Sequence, residues 1–106
     1  DLPGVVSRNG LAGSCRACAE ALGVFVAIYG AEAGNVALRG LATAGVYLGG
    51  GIAPRILESL RSETFERAFR RMPPHEALLA RIPVWVILDD RTALWGAVRH
   101  AARSLP

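Results

Sequence analysis

Three consecutive glycines, Gly49, Gly50 and Gly51, separate the apolar run Val46-Tyr47-Leu48 from Ile52-Ala53-Pro54. A strand handing over to a helix needs one glycine, or two, to make its turn. A third side chain given up at the same place points to something lying against the backbone. In open α/β sheets, ligands bind outside the carboxyl ends of the strands, and a helix start there offers unpaired N–H groups. The pattern is not the G-x-G-x-x-G of dinucleotide folds, and no acidic residue follows where that motif expects one. A tight strand-to-helix connection that uses glycine only for its backbone freedom is the plainer alternative.

The other residues able to do chemistry are dispersed. Cys15-Arg16-Ala17-Cys18 has the spacing of a redox or zinc pair. A zinc site needs about four ligands, however, and His75 and His100 are distant in sequence. A redox CxxC is expected beside a thioredoxin-like strand, and no strand precedes Cys15. The pair therefore reads as two small, buried, reduced residues on a helix. Asp89 and Asp90 are adjacent on an extended stretch and point to opposite sides, so they do not form a general acid/base pair. Asp90 or Thr92 is expected to cap a helix. His75 and His100 have no nucleophilic or acidic neighbour in sequence and read as surface residues, while Trp85 and Trp95 read as core. Arg67, Arg70 and Arg71 read as a solvated helix face. No residue stands out as catalytic, substrate-binding or metal-ligating.

Composition narrows the classes. The chain has 106 residues and a formal charge of +3, too small and too dispersed to argue for nucleic acid. All 12 basic residues are Arg, so a Schiff-base lysine and a P-loop lysine are excluded within it. The longest unbroken apolar run, Ala21 to Ala31, is short of the roughly 20 residues that span a bilayer. Asp1-Leu2-Pro3-Gly4 lacks the features of a signal peptide, so a cytoplasmic setting is expected. No initiator Met opens the chain, and Asp1 reads as a boundary within a longer protein.

Periodicity supplies the elements that must position the glycines. Residues 1–10 carry Pro3, Gly4, Asn9 and Gly10 and predict an irregular entry. From Leu11, a helical stripe of Leu22, Phe25, Val26, Tyr29, Ala33, Val36, Ala37 and Gly40 predicts one long helix. Val24, Ala27 and Ile28 on its other faces predict burial on most sides. A break at Gly34-Asn35, followed by a strand from Val36 to Leu41, is the second reading. Val46-Tyr47-Leu48 and Ile82 to Leu88 read as central strands of a parallel sheet. Between them, Pro54 opens a helix to Leu60, Ser62 caps the helix through Met72, and His75 to Arg81 forms a short helix. A last helix runs to about Ser104. The fold class is α/β, a βαβ crossover with flanking helices. Two strands apolar on both faces cannot cover each other's edges, so the chain reads as part of a larger sheet.

Taken in order, Ser14-Cys15-Arg16-Ala17-Cys18, Gly34-Asn35-Val36-Ala37-Leu38, GVYLGGGIAPRILE, Ile82-Pro83-Val84-Trp85-Val86-Ile87 and Leu94-Trp95-Gly96 resemble the C-terminal third of bacterial glucokinases. That resemblance implies a partial ribonuclease-H-like domain of the hexokinase and actin-like ATPase superfamily. The chain would be a C-terminal segment of the large domain. It implies phosphorylation of glucose by ATP with Mg, in a cytoplasmic homodimer, without nucleic-acid or membrane partners. It assigns nucleotide binding to Gly49, Gly50, Gly51, Ile52 and Pro54, around which the adenosine part of ATP would rest. Nothing in the chain matches the family's phosphate loop, catalytic Asp or glucose-contacting residues, so inactivity alone is expected. Gly49 stands where many members carry Ala, Arg91-Thr92-Ala93 replaces the usual Asn-Pro-Gly, and Ala97-Val98 replaces Ser-Gly. Two alternatives stand beside this reading: a non-catalytic nucleotide-binding or regulatory module, and an actin-fold kinase of another sugar.

Overall fold

A computed structural model describes residues 2–106, so Asp1 of the expected irregular entry lies outside the described residues. The remainder of that entry is a helix, α1 (Leu2–Ala12). Pro3 falls in its first turn, where a missing N–H costs nothing. Its Gly10 packs against the second helix so closely that a Cβ there would meet the Cys18 carbonyl oxygen at 2.8 Å.

The second helix, α2 (Arg16–Gly40), is continuous, and no strand forms at Val36 to Leu41. Leu41 closes it in the left-handed region at φ 46°, its N–H donating to the Ala37 and Leu38 carbonyls. Leu22, Val26, Ala33 and Ala37 of the expected stripe are buried, joined by Gly30 and Gly34. Phe25 and Val36, expected in the stripe, are instead exposed, as are Val24 and Ile28. The helix is therefore covered along one stripe and not on most sides.

Its length and mean hydropathy of 1.5 over 18 residues would suit a membrane span, a property that the short unbroken apolar run conceals. A polar partner occupies its buried stripe. That partner is α4 (Glu63–Arg70), which follows the one-turn α3 (Leu57–Leu60). Phe65 and Phe69 of α4 pack on α2, and its outer face carries the ion pairs Glu63–Arg67 (3.0 Å) and Glu66–Arg70 (2.7 Å). Such exposed pairs contribute well under about 1 kcal/mol each. The seam is held by apolar burial.

Gly30 and Gly34 allow that seam to close. A Cβ on Gly34 would meet the Phe69 carbonyl oxygen at 2.5 Å and Met72 Cε at 2.7 Å, whereas a Cβ on Gly23 would meet nothing within 4 Å. The same substitution should therefore have opposite signs on one helix. Gly34→Ala should destabilise by about 1–3 kcal/mol through overpacking. Gly23→Ala should stabilise by about 0.5–1 kcal/mol through backbone entropy. Denaturant midpoints check both, and equal effects would contradict the seam.

The strands β1 (Val46–Leu48) and β2 (Val84–Val86) pair in parallel, with Val46 opposite Val84, Tyr47 opposite Trp85 and Leu48 opposite Val86. Main-chain bonds from Val46 N–H to the Pro83 carbonyl and from Ile87 N–H to the Leu48 carbonyl, both 2.9 Å, extend the ladder. One face places Leu48 and the half-buried Val46, Val84 and Val86 against a core containing Ile56, Leu79 and Ile82. The other face carries Tyr47 stacked on Trp85, with ring centroids 5.1 Å apart. Trp85 is thus exposed on the outer sheet face and not packed in the core as expected, because none of the described residues forms a layer over that face.

The crossover from β1 to β2 contains a 3₁₀ turn (Ala53–Ile56), α3, α4 and the short α5 (Glu76–Leu79). The last helix, α6 (Thr92–Ser104), buries no residue, and Leu94, Trp95 and Val98 are exposed along it. Trp95, like Trp85, is not core. The molecule is a slab of 56 × 39 × 16 Å with a radius of gyration of 16.0 Å. A compact domain of this length has a radius of gyration of about 13 Å. Two parallel strands with flanking helices make an α/β arrangement with one sheet face and one helix open, in keeping with part of a larger domain.

Candidate functional site

The turn between β1 and the 3₁₀ segment is built by Gly49, Gly50 and Gly51, all three exposed. Only Gly50 is demanded by the backbone, since its φ of 101° lies where side-chain-bearing residues are strained. Gly49 and Gly51 lie outside that region. A Cβ on Gly49 would touch Ile87 Cδ1 at 3.4 Å, an ordinary contact, and one on Gly51 would meet nothing within 4 Å. The chain's own geometry therefore explains one glycine of the three. Turn formation leaves the absence of side chains at Gly49 and Gly51 without a cause.

Hydrogen bonding gives the same picture. Among the described residues, no backbone or side-chain acceptor takes the N–H groups of Gly50, Gly51 or Ile52. The Ile52 carbonyl, by contrast, accepts from Arg55 N–H at 3.0 Å and Ile56 N–H at 3.3 Å, closing the 3₁₀ turn. Pro54 sits in the first turn of that segment, where it gives up no needed donor. Ala53 beneath it is fully buried and anchors the turn in the core. The expected helix from Pro54 to Leu60 is two short pieces, 3₁₀ and then α, so any attraction for anions comes from these N–H groups more than from a long helix dipole.

Ile52 is 58% exposed and faces a cleft of about 580 Å³ between α1, α2 and the segment after the turn. Its walls include Leu22, Phe25 and Ile56, with Arg55 at its side. Sequence reasoning missed this cleft because it treated residues 1–10 as irregular and Phe25 as core. The signal that could have found it is the spacing of Leu2, Val5, Val6 and Leu11, an apolar helical repeat that Pro3 and Gly4 obscured.

Parallel pairing brings the second loop, Asp89 to Thr92, to the same end of the sheet as the glycine turn. Asp89, not Asp90, organises it. Its Oδ1 accepts from Arg91 N–H at 2.9 Å, and its carbonyl accepts from the Thr92 hydroxyl. That N–H bond, aided by the Arg91 guanidinium, holds the Asp89 carboxyl below the usual carboxylate range. Asp90 or Thr92 was expected to cap α6, but the residue at its N-cap is Arg91, which makes no side-chain cap bond. The reason is register: the turn closes one residue earlier and directs the Asp89 side chain back to the chain.

Cys15 and Cys18 are both free thiols and half-buried, not fully buried. Cys15 is not on the helix but is the N-cap of α2, in an extended conformation (φ −138°, ψ 115°), its Sγ accepting from Cys18 N–H at 3.2 Å. Ser62 occupies the N-cap of α4 as expected, but its hydroxyl donates to the Ser59 carbonyl and makes no cap bond. Arg67 and Arg70 lie on the solvated face of α4, and His75, Arg71 and His100 are exposed. Among the described residues, no three His, Cys, Asp or Glu side chains gather as a metal site.

Comparison with known proteins gives these features a context. The family model described as Glucokinase matches residues 1–104. The chain is 43% identical over 103 residues to a glucokinase of Chromobacterium violaceum, covering 97% of this chain and 30% of that protein. It is 42% identical over 98 residues to a glucokinase of a Nostoc species, covering 92% and 29% respectively. A Synechocystis glucokinase is 39% identical over 104 residues, covering 98% and 29%. The chain thus spans about 30% of the length of each of these relatives. With nearly its whole length matched, the chain belongs to the glucokinase family.

Proposed function

We propose that this chain is a C-terminal segment of the large, ribonuclease-H-like domain of an ATP-dependent glucokinase, and that it supplies the adenosine side of the nucleotide site. Gly49, Gly50 and Gly51 let the adenosine part lie against the main chain, Ile52 offers apolar surface beside it, and Pro54 fixes the turn. The observation that carries this reading is Gly51, whose missing side chain is required by no contact among the described residues and by no backbone angle. The unpaired N–H groups of Gly50, Gly51 and Ile52 give a polar ligand something to bind.

The apolar surface of Ile52 and the missing side chain of Gly51 favour the nucleoside end of the nucleotide at this turn. Neither Lys nor a cluster of acidic side chains stands there to hold a triphosphate or Mg. Phosphoryl transfer is mostly positioning and charge stabilisation, and this segment supplies only part of the positioning. Mg, the catalytic base and the glucose contacts belong to the rest of the kinase. A cytoplasmic homodimer rests on the family resemblance alone.

A segment exchange tests the proposal. Residues 1–106 are put in place of the matching segment of the Chromobacterium violaceum glucokinase, to which they are 43% identical. The chimaera should phosphorylate glucose with ATP, and the isolated chain should not. A folded chimaera unable to bind ATP, or turnover by the isolated chain, would contradict it.

A further inference from the structure

The start of α2 carries a pair of groups that nucleotide binding does not use. Cys15 Sγ accepts a hydrogen bond from the Cys18 N–H at 3.2 Å, so the first turn of the helix closes on the Cys15 sulfur. Both cysteines are free and half-buried, so the pair is within reach of a small solute. A redox CxxC is expected after a strand because an extended residue must deliver the first cysteine to a helix N-cap. Here the link Gly13 to Cys15 does this, with Cys15 itself extended at φ −138° and ψ 115°. A cap would be served as well or better by Ser or Asp, so capping does not account for sulfur at Cys15, and Cys18 caps nothing.

We propose that Cys15 and Cys18 form a thiol–disulfide exchange site at the junction of α1 and α2, with Cys15 as attacking thiol, Cys18 as resolving thiol and low-molecular-weight disulfides as the oxidant. The Cys15 thiolate attacks one sulfur of the small disulfide. A mixed disulfide forms at Cys15, the original S–S bond breaks and one thiolate leaves. Cys18 then loses its proton to solvent and attacks Cys15 Sγ, expelling the second thiolate. Two protein thiols are oxidised to one disulfide, and one small disulfide is reduced to two thiols.

The environment assigns the two roles. The neighbouring Cys18 thiol and N–H hold the pKa of Cys15 below the ordinary thiol value, while the Cys15 sulfur raises that of Cys18. The nearest charged side chain in sequence, Arg16, is engaged with Glu20 at 3.3 Å, and the α1 helix packed against the site has no acidic residue. Disulfides of this kind in a reducing compartment are transient and regulatory and do not serve as structural staples. A bond here would fix the turn on which α1 is seated through Gly10, one helical turn before Leu22.

The sequence supplies a direct readout, because Arg16 lies between the cysteines. Trypsin separates Asn9–Arg16 from Ala17–Arg39, so only a Cys15–Cys18 bond joins these two peptides. The full-length protein is reduced, exposed to oxidised glutathione, quenched in acid, alkylated, digested and mapped by mass. The wild type should yield the joined peptides, separable by dithiothreitol. Cys18→Ser should accumulate glutathione on Cys15, and Cys15→Ser should be modified at Cys18 on the order of tenfold more slowly. In urea the two rates should converge. Persistent single adducts without joined peptides in the wild type, equal rates at the two cysteines in the folded protein, or a preference that survives unfolding would each overturn the proposal.

Discussion

Replacing Phe65 with Ala should destabilise the protein by about 3–5 kcal/mol, the range for removing a buried Phe, and Phe25→Ala by only about 1 kcal/mol. The residue type is the same and the surroundings differ. Phe65 is 4% exposed, stacked on Phe69 at 6.1 Å and set edge-on to Tyr29 at 6.3 Å. Phe25 is 42% exposed and touches Tyr29 from the cleft side. With Phe65 gone, the floor of the α2–α4 seam becomes a cavity, and the backbone contact at Gly30 prevents the helices from closing over it. Domain stabilities are about 5–15 kcal/mol, so the Phe65 variant stands near the edge of folding. Denaturant midpoints with unchanged slopes are the measurement. Similar losses at the two positions would mean that this seam is not the core.

The second large effect belongs to the glycine turn. Gly50→Val should damage both folding and nucleotide use, because φ 101° is closed to a β-branched residue. The turn must then rebuild at a cost of about 1–3 kcal/mol, and the displaced main chain moves its N–H groups off the ligand. A raised Michaelis constant for ATP would follow together with a lowered melting temperature. The two losses cannot be separated at this position. They separate at Gly51, where the protein neither requires a positive φ nor crowds an added Cβ.

Much of this arrangement was legible from residue order. The α2 helix, the two parallel strands, the solvated arginine face of α4 and the place of the glycine turn follow from periodicity and from Pro and Gly punctuation. The entry helix α1 was hidden because Pro3, Gly4 and Gly10 resemble breakers. Pro3 sits in the first turn, where it is tolerated, and Gly10 is a contact with α2 that only the folded chain reveals. Trp85 and Trp95 look like core residues because size and apolarity carry no information on which layer will cover them. Both lie on surfaces this part of the fold leaves open. The same limit applies to α2, whose apolar residues extend beyond the stripe that α4 and α1 cover, leaving Val24, Phe25, Ile28 and Val36 exposed. Asp89 and Asp90 could not be separated by type, since a one-residue difference in turn closure decides which carboxylate bonds back to the main chain. Of the site, the glycines were readable, whereas the cleft beside Ile52 depends on α1 and was not.

The most direct test of the nucleotide assignment is the pair of Michaelis constants for Gly51→Val in the complete kinase, taken with its melting temperature. An ATP constant raised about tenfold or more, equivalent to about 1.4 kcal/mol, with the glucose constant and melting temperature unchanged, is the predicted result. A side chain placed in open space would then have displaced only the ligand that belongs there. An unchanged ATP constant in that stable variant would contradict the assignment of the turn to adenosine.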